Sequence, residues 1–172
     1  MKNSFLVILT LVGIQQINAQ FTRRDSLQGG LRIERTSYDV KRYDLNITIN
    51  PEQKSIKGFN EISFEVMVPT QKIQLDLFDN MKVDSIVWNT KKLKYNRDND
   101  AVFIDFPEKL ASKSNHKLKF YYSGNPRIAR NAPWDGGFVF SKDKAGKDFI
   151  AVAVQGTGAS LWYPVKDSQT DE

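Results

Sequence analysis

The feature that most constrains this chain is a two-residue period in its apolar side chains. In Tyr43-Asp44-Leu45-Asn46-Ile47-Thr48-Ile49-Asn50, Tyr43, Leu45, Ile47 and Ile49 alternate with Asp44, Asn46, Thr48 and Asn50. Successive side chains point to opposite sides only in an extended backbone, so this is a half-buried strand. Asn50-Pro51-Glu52-Gln53-Lys54 reads as a turn: Pro51 fixes φ, and the Asn50 side chain can hydrogen-bond nearby backbone. The chain returns as Ile56 to Val68, with Ile62, Phe64, Val66 and Val68 on one face, and the pair predicts a long hairpin. Similar runs recur at Ile73–Leu77, Val83–Trp88, Leu93–Tyr95, Ala101–Phe106 and Lys117–Tyr122, separated by polar turns. Seven such strands, with aromatics at 12% of the chain, predict an all-β fold: an antiparallel, saddle-shaped, β-sandwich-like domain. No window predicts an amphipathic helix, and the stretch around Glu108 to Ser112 reads as a turn.

The first residues do not share this pattern. Met1-Lys2-Asn3 is short and positive, Phe5 to Ile14 is apolar, and Gln15 to Ala19 turns polar and ends on a small residue. That order predicts a secretory leader over 1–19, too short to span a bilayer, and therefore an exported protein, periplasmic or secreted. No later run is apolar for long enough to predict a membrane span. Residues 20–35 are expected to form an extended lead-in, and residues 36–172 the β domain.

Composition then removes whole classes of chemistry. There is no Cys, which excludes disulfide scaffolds, thiolate zinc sites and thiol catalysis. The single His, His116, excludes any site that needs two imidazoles. It lies in Ser114-Asn115-His116-Lys117, where an exposed, titratable bystander is expected. The formal charge of +5 comes from Lys and Arg spread along the chain and interleaved with acids, not from a basic stripe, so no nucleic-acid partner is expected. Asn46-Ile47-Thr48 matches a glycosylation acceptor pattern but is more simply the polar face of a strand. Gly156-x-Gly158 lacks both the Gly-Lys-Ser/Thr of a phosphate loop and the third Gly of a dinucleotide loop, so it reads as a tight turn.

The last fifty residues have another texture. Ala132-Pro133-Trp134-Asp135-Gly136-Gly137-Phe138 concentrates turn residues ahead of a short strand at Phe138 to Phe140. A second hairpin runs through Ser141 to Asp148, with Gly146 in its turn. The unbroken apolar run Phe149 to Val154 predicts a fully buried strand. It leads into Gln155-Gly156-Thr157-Gly158-Ala159-Ser160-Leu161-Trp162-Tyr163-Pro164.

These pieces, in this order, resemble the N-terminal β domain of zinc aminopeptidases of the aminopeptidase N type. The residues that carry the resemblance are Tyr38 to Leu45 with its hairpin, Ile73 to Leu77, Tyr121-Tyr122-Ser123-Gly124, Pro133 to Phe138, and Gln155 to Asp167. The last two resemble a bacterial branch of the family. The sequence departs from the common pattern at Ser160, where many members have Arg, at Val165 in place of Cys, and at Gln169 in place of Pro. The resemblance implies that Gln155, nine residues before Pro164-Val165-Lys166-Asp167, accepts a hydrogen bond from the substrate's free α-amino group. It implies that Gly156, Thr157, Gly158 and Ala159 wall the substrate pocket. It further implies that zinc and the catalytic residues belong to a C-terminal domain absent from this sequence. The chain is then expected to be the N-terminal part of a longer hydrolase, binding no metal itself and inactive alone. Its partners would be a peptide N-terminus and that catalytic domain in cis. A reading from another class stays open: a self-sufficient exported β-sandwich that binds carbohydrate or protein, with Trp88, Trp134 and Trp162 as stacking surfaces.

Overall fold

The structure, a computed structural model, describes residues 21–168. The leader expected over 1–19, and Gln169 with the residues after it, lie outside the described residues. The alternating segments form antiparallel strands, as expected. β1 (Tyr38–Asn50) and β2 (Ser55–Val66) make the long hairpin, paired from Tyr38 opposite Val66 to Asn50 opposite Ser55 with one register shift between Val40 and Arg42. In the turn, the Gln53 amide donates to Asn50 Oδ1 at 2.9 Å, the local bond that Asn at a turn start provides. β3 (Thr70–Asp76), β4 (Met81–Trp88), β5 (Lys91–Lys92), β6 (Lys94–Asp98), β7 (Ala101–Leu110) and β8 (Asn115–Gly124) follow. One sheet has the order β1-β2-β8-β4-β5 and a second has β3-β7-β6.

The inner faces of these two sheets share one core. β2 alternates as the sequence predicts, with Ile56, Ile62, Phe64 and Val66 each at most 1% exposed. Leu118, Phe120 and Tyr122 of β8 and Ile73, Leu75, Val102 and Ile104 of the second sheet complete the interior. Aromatic edges join the layers: Trp88 of the first sheet meets Phe106 of the second edge to face, with centroids 5.4 Å apart. The outer face of the first sheet is polar, with Glu61 between Lys117 and Lys119.

Four expectations need correction. The lead-in is not extended. It contains α1 (Arg23–Gly29) and a single turn, α2 (Ile33–Thr36). The cause is legible at Thr22-x-x-Asp25: the Thr22 hydroxyl caps the Asp25 amide, and the Asp25 carboxylate returns to the Thr22 amide at 2.8 Å. This reciprocal box starts a helix that amphipathic periodicity is too short to reveal. The second correction is the Glu108 region, where Glu108 to Leu110 end β7 and the expected turn begins only after them, at Ser112.

The third is β10. β9 (Gly137–Lys142) and β10 (Asp148–Ala153) form a separate two-stranded hairpin. Its coverage is uneven: Phe138, Phe140 and Ile150 pack on the core, Phe149 on the other face is 55% exposed, and Val152 and Val154 are exposed although they share the face of Ile150. An unbroken apolar run signals burial on both faces, yet the outer face of this hairpin has no partner within the described residues.

His116 differs from expectation too. It lies in β8, not in a turn, with its ring 5.6 Å from that of Phe64 and 5.7 Å from that of Trp88. Burial holds its pKa below the ordinary value.

Candidate functional site

The sequence motif Pro164-Val165-Lys166-Asp167 is fixed to the sheets residue by residue. The Pro164 carbonyl accepts from Asn60 Nδ2 at 2.8 Å. Val165 pairs with Asp76 as a short antiparallel bridge, through amide-to-carbonyl bonds of 2.8 and 3.1 Å. Lys166 is 7% exposed; its ammonium donates to the Tyr38 carbonyl at 2.7 Å and sits 4.7 Å from the centre of the Tyr38 ring. The Lys166 amide donates to the Tyr43 hydroxyl at 2.9 Å. These contacts of Pro164, Val165 and Lys166 are made to the hairpin and to β3, so the regular sheets act as the frame for an irregular segment.

Asp167 connects that segment to a buried polar knot. Its amide approaches Asp76 Oδ2 at 3.3 Å, its carbonyl accepts from Arg35, and its carboxylate accepts from Ser160 Oγ at 2.6 Å. Asp76 has no exposed surface. Its Oδ1 accepts from Gln74 Nε2 at 2.7 Å and its Oδ2 lies 3.5 Å from the Arg35 guanidinium. Burial dominates and raises its pKa to about 6, opposed by Arg35, the Gln74 amide and the Asp167 N–H. Gln74 and Asp76 occupy the polar positions of an alternating strand, where solvent is the ordinary neighbour. Here α1 and α2 cover that side. Arg24 pairs with Asp100, Arg23 with Asp98 at 2.7 Å, and Arg32 donates to Gln74 Oε1 at 2.8 Å.

The turn that carries the expected site follows β10. Gln155 and Gly156 are exposed at its tip, and the Thr157 and Gly158 amides both donate to the Val154 carbonyl, at 3.1 and 3.0 Å. Ala159 opens a 3₁₀ turn, Ala159–Leu161. The Gln155 side chain makes no hydrogen bond among the described residues, so its amide is available to solvent.

Two close approaches fix this turn. A Cβ on Gly136 would overlap the Thr157 side chain, and a Cβ on Gly158, whose φ is +77°, would overlap the Asp167 carboxylate. Glycine is therefore required at both positions, sterically at Gly136 and for steric and backbone reasons at Gly158. Thr157 and Gly158, with Arg35 and Asp167, also line a cleft of about 510 Å³ against the lead-in. Thus the structure brings Thr157 and Gly158 to one cleft, whereas Gln155, Gly156 and Ala159 do not line it.

Over residues 39–168 the sequence matches the peptidase M1 N-terminal domain. The chain belongs to this family. The M1 N-terminal fold also appears in solved structures. The M1 zinc metallopeptidase from Deinococcus radiodurans is 20% identical with a TM-score of 0.58, covering 79% of this chain and 30% of its own. A mutant of a Deinococcus radiodurans M1 zinc metallopeptidase, bound to a Tyr-Ser-Ala substrate, is 19% identical at a TM-score of 0.58, covering 79% of this chain and 31% of its own. Leukotriene A4 hydrolase from Saccharomyces cerevisiae is 14% identical at a TM-score of 0.61, covering 78% and 22%. No curated protein sequence matches. The chain spans under a third of the length of these solved relatives.

Among the described residues, no group of three or more His, Asp or Glu could hold a metal ion, so the donors of this M1 domain do not fit a zinc site. No helix among them is long and apolar enough to cross a membrane. The three tryptophans form no common platform. Trp88 is 4% exposed in the core, Trp162 packs edge to face on Phe138 and Tyr163, and Trp134 is 73% exposed. Sequence reasoning missed Arg35, Gln74, Asp76 and Ser160 as parts of the site. The capping box at Thr22 was the available signal that something folded covers the polar side of β3.

Proposed function

We propose that this M1 N-terminal domain anchors the substrate's amino terminus in an exported zinc metalloaminopeptidase, with catalysis supplied by a C-terminal domain of the same protein. The observation that carries this reading is the position of Gln155, an exposed amide at the tip of a turn clamped between Gly136 and Asp167. An α-ammonium group has three donors and needs oriented acceptors; a neutral amide oxygen can take one while carboxylates from the catalytic domain would balance the charge. A rigid turn suits that task because alignment is then set before substrate arrives. Zinc, held by the other domain, would activate water and polarise the scissile carbonyl. The half-bare apolar hairpin β9–β10 supports a catalytic domain packed on its outer face, as does the family match. The charge–apolar–polar order of residues 1–19 supports export.

The test is Gln155→Ala in the full-length protein. One hydrogen bond to a charged group contributes about 1.5–3 kcal/mol, so KM for aminoacyl-arylamides should rise roughly 10- to 100-fold. Unchanged KM would remove Gln155 from the amine site. The chain alone should neither bind zinc stoichiometrically nor hydrolyse these substrates; chelator-sensitive turnover by it would overturn the two-domain reading.

A further inference from the structure

We propose that Arg35 is a positioning residue for the amine-binding turn: by holding Asp167 it sets where Gln155 is presented, so the lead-in belongs to the functional site. This rests on the reading of Gln155 as an amine acceptor. Arg35 lies on α2 and is 3% exposed. Its guanidinium reaches three stretches of chain at once. Nη1 donates to the carbonyls of Leu27, at 3.0 Å, and Gln28, while Nη2 donates to the Asp167 carbonyl and faces Asp76 Oδ2 at 3.5 Å. A planar fork with fixed donor directions does this; a Lys ammonium at the same place would reach fewer of the acceptors.

The path from Arg35 to Gln155 is short. Pro164, Val165 and Lys166 have their own anchors on the hairpin and β3, whereas the Asp167 carbonyl is held by Arg35. The Asp167 carboxylate, tied to Ser160 Oγ, fills the space beside Gly158. The backbone bonds of the turn itself are two amides on one carbonyl, Val154. Displacing Asp167 therefore removes the support on one side of the turn and leaves only the Gly136–Thr157 approach on the other. Among the core strands only the end of β3 shares these contacts, through Asp76, so the effect of Arg35 should fall on the turn and leave β2 and β8 unmoved.

Hydrogen exchange on Arg35→Gln, with Arg35→Lys beside it, tests this in the full 172-residue chain. The Thr157, Gly158 and Asp167 amides should exchange at least roughly tenfold faster, with Phe64 and Phe120 unchanged, because local opening is independent of global unfolding. In the full-length enzyme, Arg35→Gln should raise KM about tenfold with kcat changed less than about threefold, and should add under about twofold once Gln155→Ala is present, since residues acting as a unit are not additive. Unchanged turn amides, uniform acceleration across the core, or equal KM effects in both backgrounds would overturn the proposal. If Gln155→Ala alone leaves KM unchanged, the amine reading fails, and the exchange data still decide whether Arg35 holds the turn. Should Arg35→Gln not fold, Ser160→Ala interrupts the same path without burying a charge. It should loosen the same amides to a smaller degree, and no loosening would overturn the proposal.

Discussion

The sheets from Tyr38 to Gly124 and the segment from Asn125 to Ser168 are built on different physics. The first is held by alternating apolar faces, in which Leu118, Phe120 and Tyr122 repeat one kind of contact along a strand with no exposed surface. The second packs Phe138, Phe140 and Ile150 on that core but is fixed in detail by single polar contacts to particular atoms: Asn60 on Pro164, Tyr43 on Lys166, Arg35 on Asp167. Apolar burial is non-directional and scales with area, so it fixes a fold while specifying individual atoms weakly. Hydrogen bonds and ion pairs in a dry setting place atoms closely and are costly when half made. The irregular segment can thus hold a backbone stretch such as Pro164 to Asp167 in a defined place only because the regular one gives it a rigid frame.

The largest expected effect falls on the frame. Phe120→Ala removes a ring with no exposed surface from the centre of β8 and should destabilise the chain by about 3–5 kcal/mol, read by denaturant unfolding. In full-length protein that remains folded, KM should barely move. A large KM change at low stability cost would mean that the two regions are not separable in this way.

The seam between them is the next place to probe. Asp76 belongs to β3 yet faces Arg35, Gln74 and the Asp167 amide. Its pKa is raised from 3.8 to about 6 by burial. The folded state therefore binds the extra proton, and this contribution is fully present below about pH 4 and lost as pH rises through 6. At 1.36 kcal/mol per unit, the loss is on the order of 2–3 kcal/mol. His116 acts in the opposite sense: its lowered pKa gives stability that is present above about 6.5 and lost as pH falls below it. The two overlap, so the comparison must be between the chain and Asp76→Asn, whose side chain stays neutral throughout. The stability of the variant relative to the parent should rise by about 2–3 kcal/mol between pH 4 and pH 7. A difference that stays flat would show that Asp76 is not held in a dry site.

What could be read from the sequence follows the same division. Period-two alternation revealed the hairpin and the antiparallel sheets because strands such as β2 and β8 have one wet face and one dry face. It misled at Gln74 and Asp76, whose polar alternation looks like a wet face but is covered by α1 and α2, elements too short to show a period of their own. It misled in the reverse sense at Phe149 to Val154. The resemblance around Gln155 to Asp167 picked out the turn, and the structure brings two of its residues, Thr157 and Gly158, to a cleft. Arg35 had no such signal, because its role depends on the fold bringing Asp167, 132 positions along the chain, beside it.

The smallest expected effect is the sharpest test of what the hairpin is for. The register pairs Phe138 with Val152 and Phe140 with Ile150 on the side toward the core, which leaves Phe149 with Ala151 and Ala153 on the other. In the 172-residue chain Phe149 already meets water over half its surface, so Phe149→Ser should change stability by no more than about 0.5 kcal/mol. If the outer face is covered in the full-length protein, the same substitution there should cost about 2–3 kcal/mol, the value of a buried large apolar side chain. Equal small effects in both proteins would leave β10 as a solvent-facing strand and remove the apolar hairpin from the argument for a catalytic domain packed against it. A large effect confined to the longer protein would mean that the apolar run is buried on both faces after all, with the second face supplied by residues beyond this chain.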